Sequence, residues 1–376
     1  MTLKFLLQNN FAMKLSLLLI FITSCTSLFF SQQLVSKSTF DTIDYVEDVD
    51  WDGPDIYCAG FSFKTVINDG NACDAYLVHY DTQLKPQWTL KISDEHTNKI
   101  FAVKRHKDKI YALVVQGKAT GSYEDVFMKL FTINLNGAIE NKVTFGRTFN
   151  SPSNIVINGS NLIFGYRISD GITYSADFKN EIISYNIDTR KFVRHTSTQY
   201  LATPKKIVAD QSNIFLFGNY IHPNQPNIMA YKNGKYSEIS VNAPRTEYFL
   251  DSYIQKNVLT LVCSFPGEYG NKKTYLKYYY INLATHAVTS TVIPYENLGW
   301  SDMNFDTYNQ GTSSWMITED AKTKNLHYIL IDDKGKVTKT LAFDRRNGNG
   351  NWENYIIREN NLLNANANGI FLYKTE

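Results

Sequence analysis

Residues 55–62 read DIYCAGFS, and residues 74–81 read DAYLVHYD. Each opens on a polar turn residue and runs into apolar, aromatic and β-branched side chains. That is the composition of a strand covered on both faces. The first stretch recurs as KIYALVVQG from Lys109, NLIFGYRIS from Asn161, NIFLFGNYI from Asn213 and NVLTLVCSF from Asn257, then as TSSWMITED from Thr312 and NLLNANANG from Asn361. The second recurs as DVFMKLFTIN from Asp125, NEIISYNID from Asn180, PNIMAYKNG from Pro226 and TYLKYYYIN from Thr274, then as NLHYILIDD from Asn325 and GIFLYKTE from Gly369. The spacing of roughly fifty residues is a length typical of propeller blades.

Turn residues follow the second strand: Asp81-Thr82, Asn136-Gly137, Asp188-Thr189, Asn233-Gly234, Asn282-Leu283 and Asp333-Lys334-Gly335. Asn and Gly accept the positive φ of tight hairpins. A third, more polar strand comes next, such as PQWTLKIS from Pro86 or KVTKTLAFD from Lys336, suited to an outer edge. A fourth, such as SNIVINGS from Ser153 or KKIVADQS from Lys205, precedes the next unit. The reading is an all-β propeller of about seven four-stranded blades, with six or eight as alternatives. The last unit lacks an outer strand, and QLVSKSTF from Gln33 is expected to supply it by pairing with GIFLYKTE, closing the ring.

Asp74 to Ile92, DAYLVHYDTQLKPQWTLKI, resembles exported bacterial β-propeller repeats built on a DA-aromatic start, a short turn and a Trp. The likeness is concentrated in this one unit. It implies the fold alone, because that family has no shared catalytic residues to transfer.

From Met13 the chain reads MKLSLLLIFITSCTSLFFSQQ, the layout of a secretory signal peptide, and Met13 serves as well as Met1 for a start. Cleavage after Ser31 leaves a single propeller domain over residues 32–376. The rival reading is a lipobox, Ile22-Thr23-Ser24-Cys25, which would leave Cys25 lipidated. The expected location is therefore periplasmic or extracellular, or the outer membrane as a lipoprotein. Beyond the leader stand Cys58, Cys73 and Cys263. Export permits disulfides, so a Cys58–Cys73 bridge is one expectation and two separate buried thiols the other. A net charge of +2 with no dense basic stretch argues against nucleic acid. The acidic run from Asp41 through Asp44, Glu47, Asp48, Asp50 and Asp52 to Asp55 reads as a solvated strand edge and turn, ahead of a cation site.

Connections such as His106-Lys107-Asp108 and Asn158-Gly159-Ser160 are short, whereas those expected at the opposite end are long: Phe63 to Ala72, Lys118 to Glu124, Ser169 to Phe178, Tyr220 to Pro226 and Pro266 to Lys273. Loops on a rigid scaffold carry function. Tyr123, Tyr174, Tyr220, Tyr269, Trp300 and Trp352 fall on or beside the long-loop face, where rings stack on sugars, anchor a protein, or merely hold loops onto blades. The seven histidines are scattered, and no HExxH, CxxC, GxSxG or GxxxxGK[ST] occurs, so no metal or cofactor site is expected. The sequence thus points to a binding or scaffold module for a protein or glycan. The alternative is a glycan hydrolase or lyase with catalytic groups gathered in a central funnel.

Overall fold

The structure is a computed structural model. It describes residues 34–40, 43–64, 72–120, 122–148, 151–168, 179–196, 203–210, 212–221, 228–232, 235–265, 275–294, 305–306, 313–319, 326–332, 337–343, 354–358 and 361–374. All regular structure among them is strand.

β1 (Leu34–Ser38) opens the described chain. β2 (Tyr45–Asp52), β3 (Asp55–Phe63), β4 (Cys73–Asp81) and β5 (Pro86–Ile92) form a first antiparallel set in that order. β6 (Thr97–His106), β7 (Lys109–Thr120), β8 (Ser122–Asn134) and β9 (Ile139–Arg147) form the second, tied to the first by one parallel bridge, Cys73 opposite Thr97. The third holds β10 (Val156–Asn158), β11 (Asn161–Ile168), β12 (Lys179–Asn186) and β13 (Phe192–Thr196). In the fourth, β14 (Pro204–Ala209) and β15 (Asn213–Gly218) lead to a short β16 (Tyr220–Ile221) that leaves the set. β17 (Ile228–Lys232) and β18 (Lys235–Ile239) complete it. The fifth is β19 (Glu247–Gln255), β20 (Val258–Phe265), β21 (Tyr275–Asn282) and β22 (Val288–Pro294), with β16 added beside β19. The sixth is β23 (Phe305–Asp306), β24 (Ser313–Glu319), β25 (Leu326–Asp332) and β26 (Val337–Phe343). The seventh is β27 (Asn354–Arg358), β28 (Asn361–Asn366) and β29 (Gly369–Lys374), and β1 lies along the outer edge of β29.

This is the β-propeller fold, and every repeat copy quoted above falls on a strand of it. The described part of the segment expected to close the ring, Leu34–Ser38, pairs with the last strand: Ser38 stands opposite Ile370 and Lys37 opposite Phe371. Second strands such as β11 and β20 are covered on both sides, with nearly every residue buried. The outer β9 instead alternates half-buried and exposed positions, as a strand with one wet face must.

The cores lie between sets. Tyr111, Leu113 and Leu130 of the second pack on Leu162, Phe164 and Ile183 of the third. Phe215 and Phe217 of the fourth pack on Phe249, Leu259 and Leu261 of the fifth. Val46, Val49 and Cys58 of the first pack on Leu363, Ala365 and Ile370 of the seventh. Truncating a fully buried member such as Leu261 to Ala removes about 2–5 kcal/mol.

The strand ends differ. At one end the chain turns within a few residues, Asp52 to Asp55, His106 to Lys109 and Gln255 to Val258. Side chains close those turns: Asp81 Oδ1 accepts from Gln83 and Lys85 N–H, and Asn134 Oδ1 from Asn136 and Ala138 N–H. Gly137, at φ 83°, takes the left-handed corner of the second of these turns. At the other end the gaps run from Phe63 to Cys73, Ile168 to Lys179 and Phe265 to Tyr275. The expected loop from Lys118 to Glu124 is a correction. β7 and β8 continue there as a hairpin, with Lys118 opposite Asp125 and Thr120 opposite Ser122.

The Cys58–Cys73 bridge is also corrected. Cys58 stands opposite Val78 and Cys73 opposite Phe63, so five strand positions, about 17 Å, separate them along adjacent strands. A disulfide needs Cα atoms within about 7 Å. Cys58, Cys73 and Cys263 are free and buried. Burial raises the Cys58 and Cys263 thiols, which keeps them protonated and inert.

Candidate binding face at the axial mouth

The first strand of each set is the innermost. β2 packs on β6 and β27, β14 on β10 and β19, and β23 on β19 and β27. These strands enter at the long-loop end, so their first residues surround the mouth of the axis.

Of the ring residues expected there, Tyr174, Tyr269, Trp300 and Trp352 lie outside the described residues, as do Cys25 and the whole leader. Tyr123 lies on β8, with its side chain outside the described set. Tyr220 is described, on β16 rather than on a loop. It stands opposite Tyr248 of β19, with ring centroids 5.1 Å apart. The two rings are 39% and 44% exposed. Strand alternation explains the second. Its neighbour Glu247 points inward, where Oε1 accepts from Tyr275 OH at 3.0 Å and Oε2 from Tyr279 OH at 2.7 Å. Tyr248 must therefore point the other way.

A second ring cluster sits where the first and second sets meet. Tyr45 stands opposite Phe61 and stacks on it at 5.1 Å, while Phe63 lies edge-on to both, at 5.4 and 5.6 Å. The Lys99 ammonium, from β6, rests 4.6 Å from the Phe61 ring centre and 5.7 Å from that of Phe63. Phe63 is 40% exposed. A third cluster joins Phe265 to Tyr275 at 5.3 Å, with the Arg245 guanidinium 4.4 Å over Phe265. Loop composition pointed to none of these, because they are strand-terminal residues. The legible signal was the same-face spacing of Phe61 and Phe63.

Just below the mouth, four innermost strands carry the same irregularity. Val46 stands opposite Gly60 and Asp48 opposite Ala59, so Glu47 is an extra residue, a β-bulge. β6, β14 and β19 bulge at the same register, with Phe101, Lys205 and Leu250 as the extra residues. Next to its bulge, Asp48 accepts from Val103 N–H of β6 at 2.8 Å and from Val49 N–H at 2.9 Å. Burial raises the Asp48 carboxyl to about 7 despite those bonds. Burial also raises Glu47 to about 7, with Lys99 pulling it the other way. Lys205 Nζ donates to Phe249 O of β19 at 3.2 Å, and burial of that ammonium lowers its pKa.

The run ends in the exposed turn from Asp52 to Asp55, as expected, but most of its other described members are engaged by the protein. Asp50 accepts from Arg105 N–H at 2.7 Å and pairs with Lys104 at 2.6 Å, and Asp55 holds both Arg105 and His79. Asp44 caps Phe63 N–H at 3.0 Å. The run latches the first set to the second, satisfying strand-edge N–H groups that the innermost position leaves unpaired. Among the described residues no three His, Cys, Asp or Glu side chains gather to hold a metal, and no helix is long and apolar enough to cross a membrane.

Solved structures share this fold. The β-propeller domain of the Trilobed protease from Pyrococcus furiosus matches with a TM-score of 0.53 at 11% identity, over 90% of this chain and 95% of that one. The CNH domain of AfRom2 matches at 0.52 and 9% identity, over 92% and 99%. A periplasmic gluconolactonase of Pseudomonas aeruginosa matches at 0.46 and 11% identity, over 77% and 84%. At such identities the likeness is one of fold alone. No family model matches the sequence, and no curated protein matches it.

Proposed function

We propose that this chain is an exported binding module, a closed ring of about seven blades spanning residues 32–376, which holds its partner at the long-loop mouth. One observation carries the reading. Of the four aromatic rings most exposed among the described residues, Phe63, Tyr220 and Tyr248 lie at that end, and only Tyr236 lies on an outer strand. Exposed rings on rigid strands bring large contact area with little ordering cost. The hydrolase reading draws on Glu47, whose raised carboxyl suits a general acid. It draws no support from Asp48, Asp50, Asp251 and Glu247, which are already engaged on the innermost strands β2 and β19.

A photo-crosslinking residue at Tyr248 tests the face. It should capture a discrete partner in the native envelope fraction, and one at Val193 or Val292, on the outer strands, should not. Equal capture from all three positions would remove the face from consideration. Processing after Ser31 or at Cys25 is settled by the mass of the mature N-terminus, and either result leaves the binding face unchanged.

A further inference from the structure

Most lysines around the first set are neutralised. Lys64 and Lys91 pair with Asp74 at 3.0 and 2.8 Å, and Lys104 pairs with Asp50 at 2.6 Å. Lys99 differs. Among the described residues no carboxylate lies within ion-pair distance of it, and its close contacts are the faces of Phe61 and Phe63. A half-buried ammonium on two rings has given up water without gaining a full counter-ion. Beside it, Phe63 stays 40% exposed.

We propose that Lys99, with Tyr45, Phe61 and Phe63, forms a binding site for an acidic saccharide, a polymer of carboxylate-bearing sugars. The proposal rests on the long-loop mouth being the binding face. The ligand carboxylate completes the shell of Lys99, and the apolar face of the sugar ring covers Phe63. The Tyr220–Tyr248 pair offers a second platform with hydroxyl groups, which suits a ligand that repeats rings along its length. An acidic peptide supplies the carboxylate without the ring face.

Glu47 supports this assignment. With its carboxyl near 7, it is a weak counter-ion for Lys99 at neutral pH and none in mild acid. Among the described residues, β27 brings Asn354, which donates to Val46 O at 2.9 Å beside Glu47, and Arg358, which donates to Trp51 O at 3.1 Å farther along β2. Lys99 faces it from β6, and β3 presents the Phe61 and Phe63 rings. On its own strand Asp48 is bonded to the Val49 and Val103 amides, with Asp50 and Lys104 beyond. A sugar carboxylate, with a pKa of about 4 as for ordinary carboxylates, stays ionised throughout. Binding should therefore tighten as pH falls from 8 to 6.

The test is calorimetric titration of the full mature chain with three probes of equal length: oligogalacturonate, a neutral galactose oligomer and an oligoglutamate peptide. Oligogalacturonate should bind at least tenfold more tightly than either other probe, and several-fold better at pH 6 than at pH 8. Lys99→Gln, which keeps the stem on the rings, should abolish the preference. Phe63→Ser, at an exposed position, should weaken binding without unfolding the chain. Glu47→Gln should keep binding and flatten the pH profile. Equal binding of the neutral oligomer, or a folded Lys99→Gln protein that binds unchanged, would overturn the proposal. Lys99-dependent binding of oligoglutamate would overturn the saccharide class and leave the face intact. No binding of any probe, with capture at Tyr248 still seen, would do the same; no capture either would remove both.

Discussion

The first-to-second and fourth-to-fifth contacts are built on the same backbone irregularity and carry opposite charge. In β2 the bulge turns Glu47 and Asp48 toward the next innermost strand, where Asp48 accepts from Val103 N–H. In β14 it turns Lys205 and Lys206 toward the next strand, where they meet Phe249 O and Asp251. Acids seek the donors of the following strand, and lysines seek its acceptors. An innermost strand has one edge without a ladder partner, so its amides and carbonyls need side chains from a neighbour. The bulge supplies them because it sets two successive residues on one side, which regular alternation forbids. Either charge serves the purpose, and the two contacts differ in how they answer truncation and pH.

The largest break in that comparison comes from Lys206→Met. Asp251 is 1% exposed, and Lys206 is the cation paired with it. Removing the cation leaves a buried charge unpaired, so the variant should lose about 3–5 kcal/mol, read as a lower midpoint in urea unfolding. A loss below about 1 kcal/mol, the range of surface pairs, would show the contact to be open to water. On the acidic side, Asp50→Ala should cost less, about 1–3 kcal/mol. It strands the Arg105 amide, whereas the Lys104 ammonium keeps water. If Asp50→Ala proved the costlier of the two, the latch would depend on the acids more than on the buried Lys206–Asp251 pair.

The strands were legible because both faces of a second strand meet other sheets, which forces unbroken apolar runs such as NLIFGYRI in β11. The partner of GIFLYKTE was legible for the same reason, since an outer strand was owed to the last set. The bulges were not, because Glu47 differs from its neighbours only in having no partner across β3, a tertiary fact. The acidic run misled through its density, which reads as solvation until Val103 and Arg105 arrive from a strand more than fifty residues away. Of the proposed ring residues, the only described side chain, Tyr220, does sit exposed at the mouth. It gets there by strand pairing with Tyr248, which loop length could not announce.

The finest discrimination between the two contacts is the sign of their pH response. Glu47 titrates near 4.5 when unperturbed and near 7 in the folded chain, because burial disfavours its charge. Between those values the unfolded chain has released the proton and the native chain keeps it, so Glu47 lowers stability as pH rises through that window. Below it there is no penalty, and above 7 the penalty is constant. Two and a half units would set a ceiling of about 3 kcal/mol, and the partial exposure of the side chain reduces this to about 1 kcal/mol. Glu47→Gln should therefore match the parent near pH 4 and be more stable by about 1 kcal/mol at pH 8. Lys205 behaves in the opposite sense. Burial lowers its pKa from 10.5, so the native chain releases the proton first and stability rises with pH below 10.5. Lys205→Met should be the more stable protein at pH 7 and should lose that advantage as pH passes 10.5. Urea midpoints for both variants across pH would show slopes of opposite sign. Slopes of the same sign would mean that these two groups are not desolvated by the strands they latch.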